Sequence, residues 1–169
     1  MKHIVLVGMM GAGKSSVGQL LSEKLARPFF DTDSMIEEDQ HTTITEIFEA
    51  KGENAFRKME LDAVARVMAE NPAVIATGGG TFVQELARNL IKSKSVSFYL
   101  ECQAEVLLGR LTATTDRPLL SEGDMLETIR EMLLMRGPLY LLADHVINTD
   151  QSDLEEVCSE VLVHQDEFA

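Results

Sequence analysis

Gly8-Met9-Met10-Gly11-Ala12-Gly13-Lys14-Ser15 fits the pattern G-x-x-x-x-G-K-[ST]. Glycines allow a tight turn that aims successive backbone N–H groups at phosphate oxygens. A helix starting at the end of that turn points its partially positive N-terminus at the same anion. Gly11, Ala12, Gly13, Lys14, Ser15 and Ser16 are therefore the expected cradle of a nucleoside triphosphate. Lys14 would reach the β- and γ-phosphates, and the Ser15 hydroxyl would ligate Mg²⁺. The loop identifies a donor phosphate without saying where that phosphate goes.

Further residues with chemical potential follow along the chain. Asp31 and Asp33 flank Thr32 just after the apolar pair Phe29-Phe30. Asp31 suits the metal side, beside Ser15, holding the ion directly or through water. Asp33 suits a substrate hydroxyl, which it would orient or deprotonate. One of the two could instead cap a helix starting near Ser34. Arg57 and Glu60 are three residues apart on a helical pattern, so the glutamate can steady the arginine's fork for a carboxylate or phosphate. The same spacing also suits a solvated surface pair. Phe48 and Phe56 offer an apolar wall or ordinary core packing. Gly78-Gly79-Gly80 suit a close approach of ligand to backbone, or a turn. Residues 112–123 have turn-rich composition and include Arg117, which is either an ordinary solvated loop arginine or one that a closing lid would carry to the transferring phosphoryl group.

Apolar segments alternating with helical patterns must position these groups. The expected strands are 3–8, 29–31, 73–77, 96–100 and 145–148. Helices are expected at 14–26, across 34–71, and at 84–92, 103–111, 124–142 and 152–164. Thr43 to Glu46 has capping-box spacing, and Gly52 can end that short helix. The Met/Leu-rich stretch before Arg136 reads as core, and the last helix as a structural cover. Such alternation specifies an α/β chain with a parallel sheet covered on both faces, and ligands of such sheets gather at the carboxyl ends of the strands. The candidate residues follow successive strands.

The 169 residues suit one domain, residues 1–169, with a substantial core. The formal net charge of −13 argues against nucleic acid or an anionic membrane as partner and requires the few cations to gather at any phosphate site. No apolar run reaches the length of a membrane span, and the first strand leaves no room for a signal peptide. Cys102 and Cys158 are expected as free buried thiols of a cytoplasmic protein. Scattered histidines give no zinc pattern.

Together, Gly8–Ser16, Asp31-Thr32-Asp33, Phe56-Arg57 with Glu60, Thr77-Gly78-Gly79-Gly80, Arg117-Pro118-Leu119 and Arg136 with Tyr140 resemble the shikimate kinases over nearly the whole chain. The resemblance implies a three-layer α/β/α P-loop fold with a five-stranded parallel sheet in the order 2-3-1-4-5. It implies a substrate-binding section near 34–60 and a lid near 112–123. It implies a monomer that transfers the ATP γ-phosphate to the 3-hydroxyl of shikimate, with Mg²⁺, in aromatic amino acid biosynthesis. By matching motif positions, Asp33 and the backbone of Gly78, Gly79 and Gly80 would meet shikimate. Arg57 and Arg136 would clamp its carboxylate, and Phe48, Phe56 and Glu60 would complete the acceptor site. Lys14, Asp33 and Arg117 would serve catalysis, Arg117 also binding ATP phosphate. Ser15 and Asp31 would serve the metal, and Arg110 would lie beside the adenine. Leu141 and Leu142 depart from the acids frequent in the family after this tyrosine, and the turn from Asn148 to Ser152 has no basic residue. The nearest alternative is a kinase of another hydroxy acid such as gluconate. A GTPase-type switch would carry N-K-x-D and D-x-x-G motifs, which the chain lacks.

Overall fold

His3–Val7 forms β1, an apolar strand buried at every residue and paired on both edges. Residues buried on both faces of a sheet are apolar throughout rather than alternating. The computed structural model describes residues 1–114 and 122–165. The order continues as α1 (Lys14–Leu25), β2 (Phe29–Asp31), α2 (Thr32–Gln40), α3 (Ile44–Val67), β3 (Val74–Ala76) and α4 (Glu85–Lys94). It ends with β4 (Ser95–Glu101), α5 (Ala104–Thr114), α6 (Glu122–Tyr140), β5 (His145–Asn148) and α7 (Leu154–Gln165).

The sheet order is β2-β3-β1-β4-β5, all neighbours parallel. Helices cover the sheet as an α/β/α P-loop fold, as expected. The chain leaves β1 toward β2 and β3 on one side and reaches β4 and β5 on the other. That reversal opens a crevice at the carboxyl end of β1, where the glycine-rich turn lies. The core on the sheet includes Leu6, Val7, Leu21, Ile75, Phe98 and Leu100. A smaller cluster of Ile36, Ile47, Phe56 and Ala63 packs α2 on α3 away from the sheet.

Local signals explain several boundaries. Thr43 and Glu46 form the expected capping box at the start of α3. Gly52 has φ 78° and ψ 173° and breaks α3 into two segments, as its residue type suggested. Asp153 and Glu156 exchange backbone-to-carboxylate hydrogen bonds at 2.8 and 2.9 Å and so start α7. The start of α2 differs from expectation: it begins at Thr32, because Asp31 accepts from the backbone N–H groups of Asp33 at 3.1 Å and Ser34 at 3.2 Å. The Met/Leu stretch of α6 also differs. Ile129 is buried and Met132 and Leu133 pack on the core, but Leu134 and Met135 are 81% and 77% exposed. Four consecutive apolar residues sweep more than one face of a helix with 3.6 residues per turn, so they cannot all point inward. Cys102 and Cys158 are free and buried, as expected. No helix among the described residues is long and apolar enough to cross a membrane.

Candidate active site

The turn from β1 to α1 is built on positive backbone angles. Gly13, with φ 95°, caps α1 in the left-handed region. Gly8, with φ 140°, also lies where an added Cβ would meet the carbonyl oxygen of Leu100 at 2.8 Å. The turn delivers Lys14 into the crevice with only 8% exposure. Its ammonium donates to the carbonyls of Gly8 at 2.9 Å and Met9 at 2.8 Å. Burial pulls its pKa down to about 8, while Asp33 and Asp31 act in the opposite sense.

The two aspartates divide their work. Asp31 takes the Ser15 hydroxyl on Oδ2 at 2.5 Å and caps α2 through Oδ1. The capping role open to either residue therefore belongs to Asp31, which leaves Asp33 free. Asp33 Oδ1 is buried and has no hydrogen-bond partner among the described residues. Burial pushes its pKa up to about 6, with the negative charges of Glu60 and Asp31 adding to the rise and Lys14 opposing it. Lys14, Ser15, Asp31, Asp33 and Gly79 line one cleft of about 310 Å³.

A second cleft, about 590 Å³, is lined by Arg57, Arg136, Gly80 and Gln84 with the apolar Val83 and Met132. Arg57 reaches it from the second segment of α3. Glu60, 1% exposed, accepts from Arg57 Nη1 at 2.7 Å, Thr81 Oγ1 at 2.9 Å and Gln84 Nε2 at 2.8 Å. This is a buried support, not a solvated surface pair. Burial works against the charge on Arg57, but the contacts to Glu60 and Glu53 outweigh it and raise its pKa.

The glycine triplet explains how the two clefts meet. An added Cβ at Gly80 would fall 1.9 Å from Arg57 Nη1, and one at Gly78 would fall 2.4 Å from Asp33 Oδ1. Only hydrogen at those positions lets α2 and α3 bring both side chains against the end of β3. Gly79 lies between the glycine-rich turn and Arg136, whose Nη1 would be 3.5 Å from a Cβ there. The buried Tyr140 hydroxyl donates to the Gly79 carbonyl, and the Gly78 N–H donates to Thr32 Oγ1 at 3.1 Å.

The other expected residues are placed as follows. Arg110 donates to Thr149 O at 2.6 Å, to Thr149 Oγ1 at 3.2 Å and to Ala12 O at 3.4 Å. It thus borders a small recess between the glycine-rich turn and residues 152–154, about 170 Å³. Phe56 is buried in the cluster between α2 and α3, its ring 4.7 Å from that of Phe48 and 5.7 Å from Arg57 Cζ. Of the expected lid, residues 112–114 end α5 and residues 122–123 begin α6. Arg117 lies outside the described residues. Thr32, Thr81, Gln84 and Tyr140 are parts of the site that spacing alone did not assign. A buried Glu60 demands donors, but partners 21 and 24 residues away carry no local signal.

The arrangement therefore holds an anion cradle with a buried lysine, a free carboxylate facing it, and two arginines on an adjoining cleft. A sequence profile of the shikimate kinase family matches residues 10–165. The chain belongs to the shikimate kinase family. Shikimate kinase of Rhodopseudomonas palustris is 43% identical over 159 residues, covering 94% of this chain and 78% of the relative. That of Symbiobacterium thermophilum is 42% identical over 163 residues, covering 95% and 94%. Among solved structures, the shikimate kinase of Acinetobacter baumannii in complex with shikimate superimposes with a TM-score of 0.88 at 36% identity, covering 96% of this chain and 91% of that one. Family membership and the sheet order agree with what the sequence motifs led us to expect.

Proposed function

We infer that this chain is a shikimate kinase, transferring the γ-phosphoryl group of ATP to the 3-hydroxyl of shikimate and giving shikimate 3-phosphate and ADP in aromatic amino acid biosynthesis. The observation that carries the reading is Asp33. Asp33 lines the same cleft as Lys14 and has one carboxylate oxygen buried without a hydrogen-bond partner among the described residues, while Arg57 and Arg136 line the adjoining cleft. A polyhydroxy acid supplies what each group lacks: a hydroxyl for Asp33 and a carboxylate for the two arginines.

Residues 11–16 hold the triphosphate, and Arg110 borders the recess suited to the base. Asp33 accepts the hydrogen bond of the 3-hydroxyl and takes its proton as the oxygen bonds to phosphorus. Lys14 exchanges its two carbonyl contacts for phosphate oxygens and neutralises charge as the bond to ADP breaks. Arg117, from the 112–123 lid, completes the phosphate site. Gly78, Gly79 and Gly80 admit the acid close to the backbone, while Glu60, Phe48 and Phe56 support the acceptor side around Arg57.

Ser15 and Asp31 fit the metal expected with ATP. Both present oxygen to the nucleotide cleft, and no group of three or more His, Cys, Asp or Glu side chains among the described residues forms a full protein cage. Mg²⁺ keeps several waters and phosphate oxygens, so two protein oxygens suffice; when bound, it would offset charge on the phosphates. The acidic surface and the free thiols suit a cytoplasmic monomer that binds neither nucleic acid nor membrane.

A coupled ADP-release assay on a panel of hydroxy acids tests the reading. Turnover should require shikimate. Turnover with gluconate and none with shikimate would assign a different acceptor, and release without any acceptor would make the chain an ATPase.

A further inference from the structure

We propose that Glu53 is a resident carboxylate that occupies the acceptor-facing edge of Arg57 and is displaced when the acid binds. The proposal rests on the reading of Arg57 as one arm of a carboxylate clamp. Arginine carries its donors in a planar fork whose edges each accept a carboxylate. Here two glutamates share that fork. Nη1 goes to Glu60 at 2.7 Å, while Nε and Nη2 converge on Oε1 of Glu53 at 3.3 and 3.2 Å.

The two glutamates differ in every respect that matters for exchange. The Glu60 side chain is 1% exposed and is also held by Thr81 and Gln84. The Glu53 side chain is 65% exposed, and Arg57 is its only hydrogen-bonding partner among the described residues. Its contacts are longer than the 2.7–2.9 Å common for charge-assisted N–H···O⁻ bonds. Glu60 is therefore the fixed anchor and Glu53 the exchangeable ligand. Glu53 also borders the cleft that Arg57 shares with Arg136. A carboxylate seated between the two arginines needs the edge that Glu53 occupies, and two carboxylates on one guanidinium edge repel.

The position of Glu53 in the chain eases the exchange. It directly follows Gly52, the non-helical break in α3, so it opens the second helical segment instead of lying inside a continuous helix. With its side chain 65% exposed, Glu53 can rotate into water. While the site is empty, Glu53 screens a half-buried guanidinium. When an acid enters, the same contact becomes a competitor that an uncharged compound has no means to displace productively. Glu53 thereby acts as a positioning residue that sets the threshold of acceptor affinity.

The test compares Glu53→Gln with the unaltered full chain in steady-state kinase assays. The KM for shikimate should fall about two- to fivefold, the range expected for loss of an exposed ion pair, with the gain in KM and not in kcat. The KM for the carboxamide of shikimate, which has no carboxylate to compete, should not change. Glu49→Gln, which removes an exposed charge from the segment before Gly52, should not reproduce the gain. A KM that rises or stays constant in Glu53→Gln would overturn the proposal, making Glu53 an aligner of Arg57 or a bystander. An equal gain with the carboxamide or in Glu49→Gln would also overturn it, by reducing the effect to the general field. Arg57→Lys and Arg57→Ala separate this from the clamp reading. If they leave the shikimate KM unchanged, the clamp itself fails; if they raise it while Glu53→Gln does not lower it, only the present proposal fails.

Discussion

Asp33→Asn removes the charge that the fold holds at a cost and that the chemistry needs. The carboxyl is lifted from its ordinary 3.8 to about 6, first by burial and then by the nearby charges of Glu60 and Asp31. At about 1.4 kcal/mol per pH unit, this rise makes ionised Asp33 roughly 3 kcal/mol worse in the native chain than in the unfolded one. The group is partly open to a solvent-filled cleft, which screens its charge, so we expect about 1–2 kcal/mol. Because the native state binds the proton more tightly, wild-type stability rises as pH falls from 6 toward 4 and is lowest above 6. Asparagine stays neutral throughout. The variant should therefore melt about 2–8 °C higher than wild type at pH 8, and the difference should vanish toward pH 4. The same substitution should lower kcat by about 10²-fold or more if Asp33 takes the proton. Thermal melts from pH 4 to 8 and kinase assays on the same samples check both halves. A variant that is less stable at pH 8, or whose advantage does not change with pH, would refute the account of Asp33 as a strained, unpartnered charge. A small loss of kcat would leave it an orienting group and exclude obligatory proton abstraction.

The remaining expectations concern the other groups around the two clefts. Lys14→Ala should lower kcat by at least about 10³-fold in the kinase assay, since Lys14 is the one cation among the described residues that line the nucleotide cleft; near-normal kcat would remove Lys14 from the mechanism. Gly80→Ala puts a methyl where Arg57 Nη1 lies 1.9 Å away, so Arg57 must move and the shikimate KM should rise about tenfold or more, with ATP binding by titration unaffected. Arg136→Ala should act mainly on the same KM, by about 10- to 100-fold for loss of a charge-assisted contact, and an effect confined to kcat would place Arg136 in the chemical step instead.

What the sequence made legible, and what it did not, follows the range of the physical signals involved. The glycine-rich turn, the capping box at Thr43 and Glu46, and the break at Gly52 are encoded within a few residues, and each stands where local chemistry put it. The division between Asp31 and Asp33 was not encoded that way. Both could cap the same helix by type and spacing, and only the register of α2 against Ser15 decides that Asp31 does so. The exposure of Leu134 and Met135 was hidden for the opposite reason: hydrophobicity marks a residue as suited to the core without saying which part of a helix the core reaches.

The acceptor side shows the same limit more fully. Arg57 and Glu60 announce a pair at helical spacing, but a pair is worth little until its surroundings are known. Burial of Glu60 under Thr81 and Gln84 converts it into a rigid anchor, and the absence of side chains at Gly78 and Gly80 makes room for Asp33 and Arg57 at the end of β3. Glycines thus contribute to specificity by the volume they leave empty. That is why the triplet could be read from sequence as a place of close approach, while the identity of what approaches required the fold.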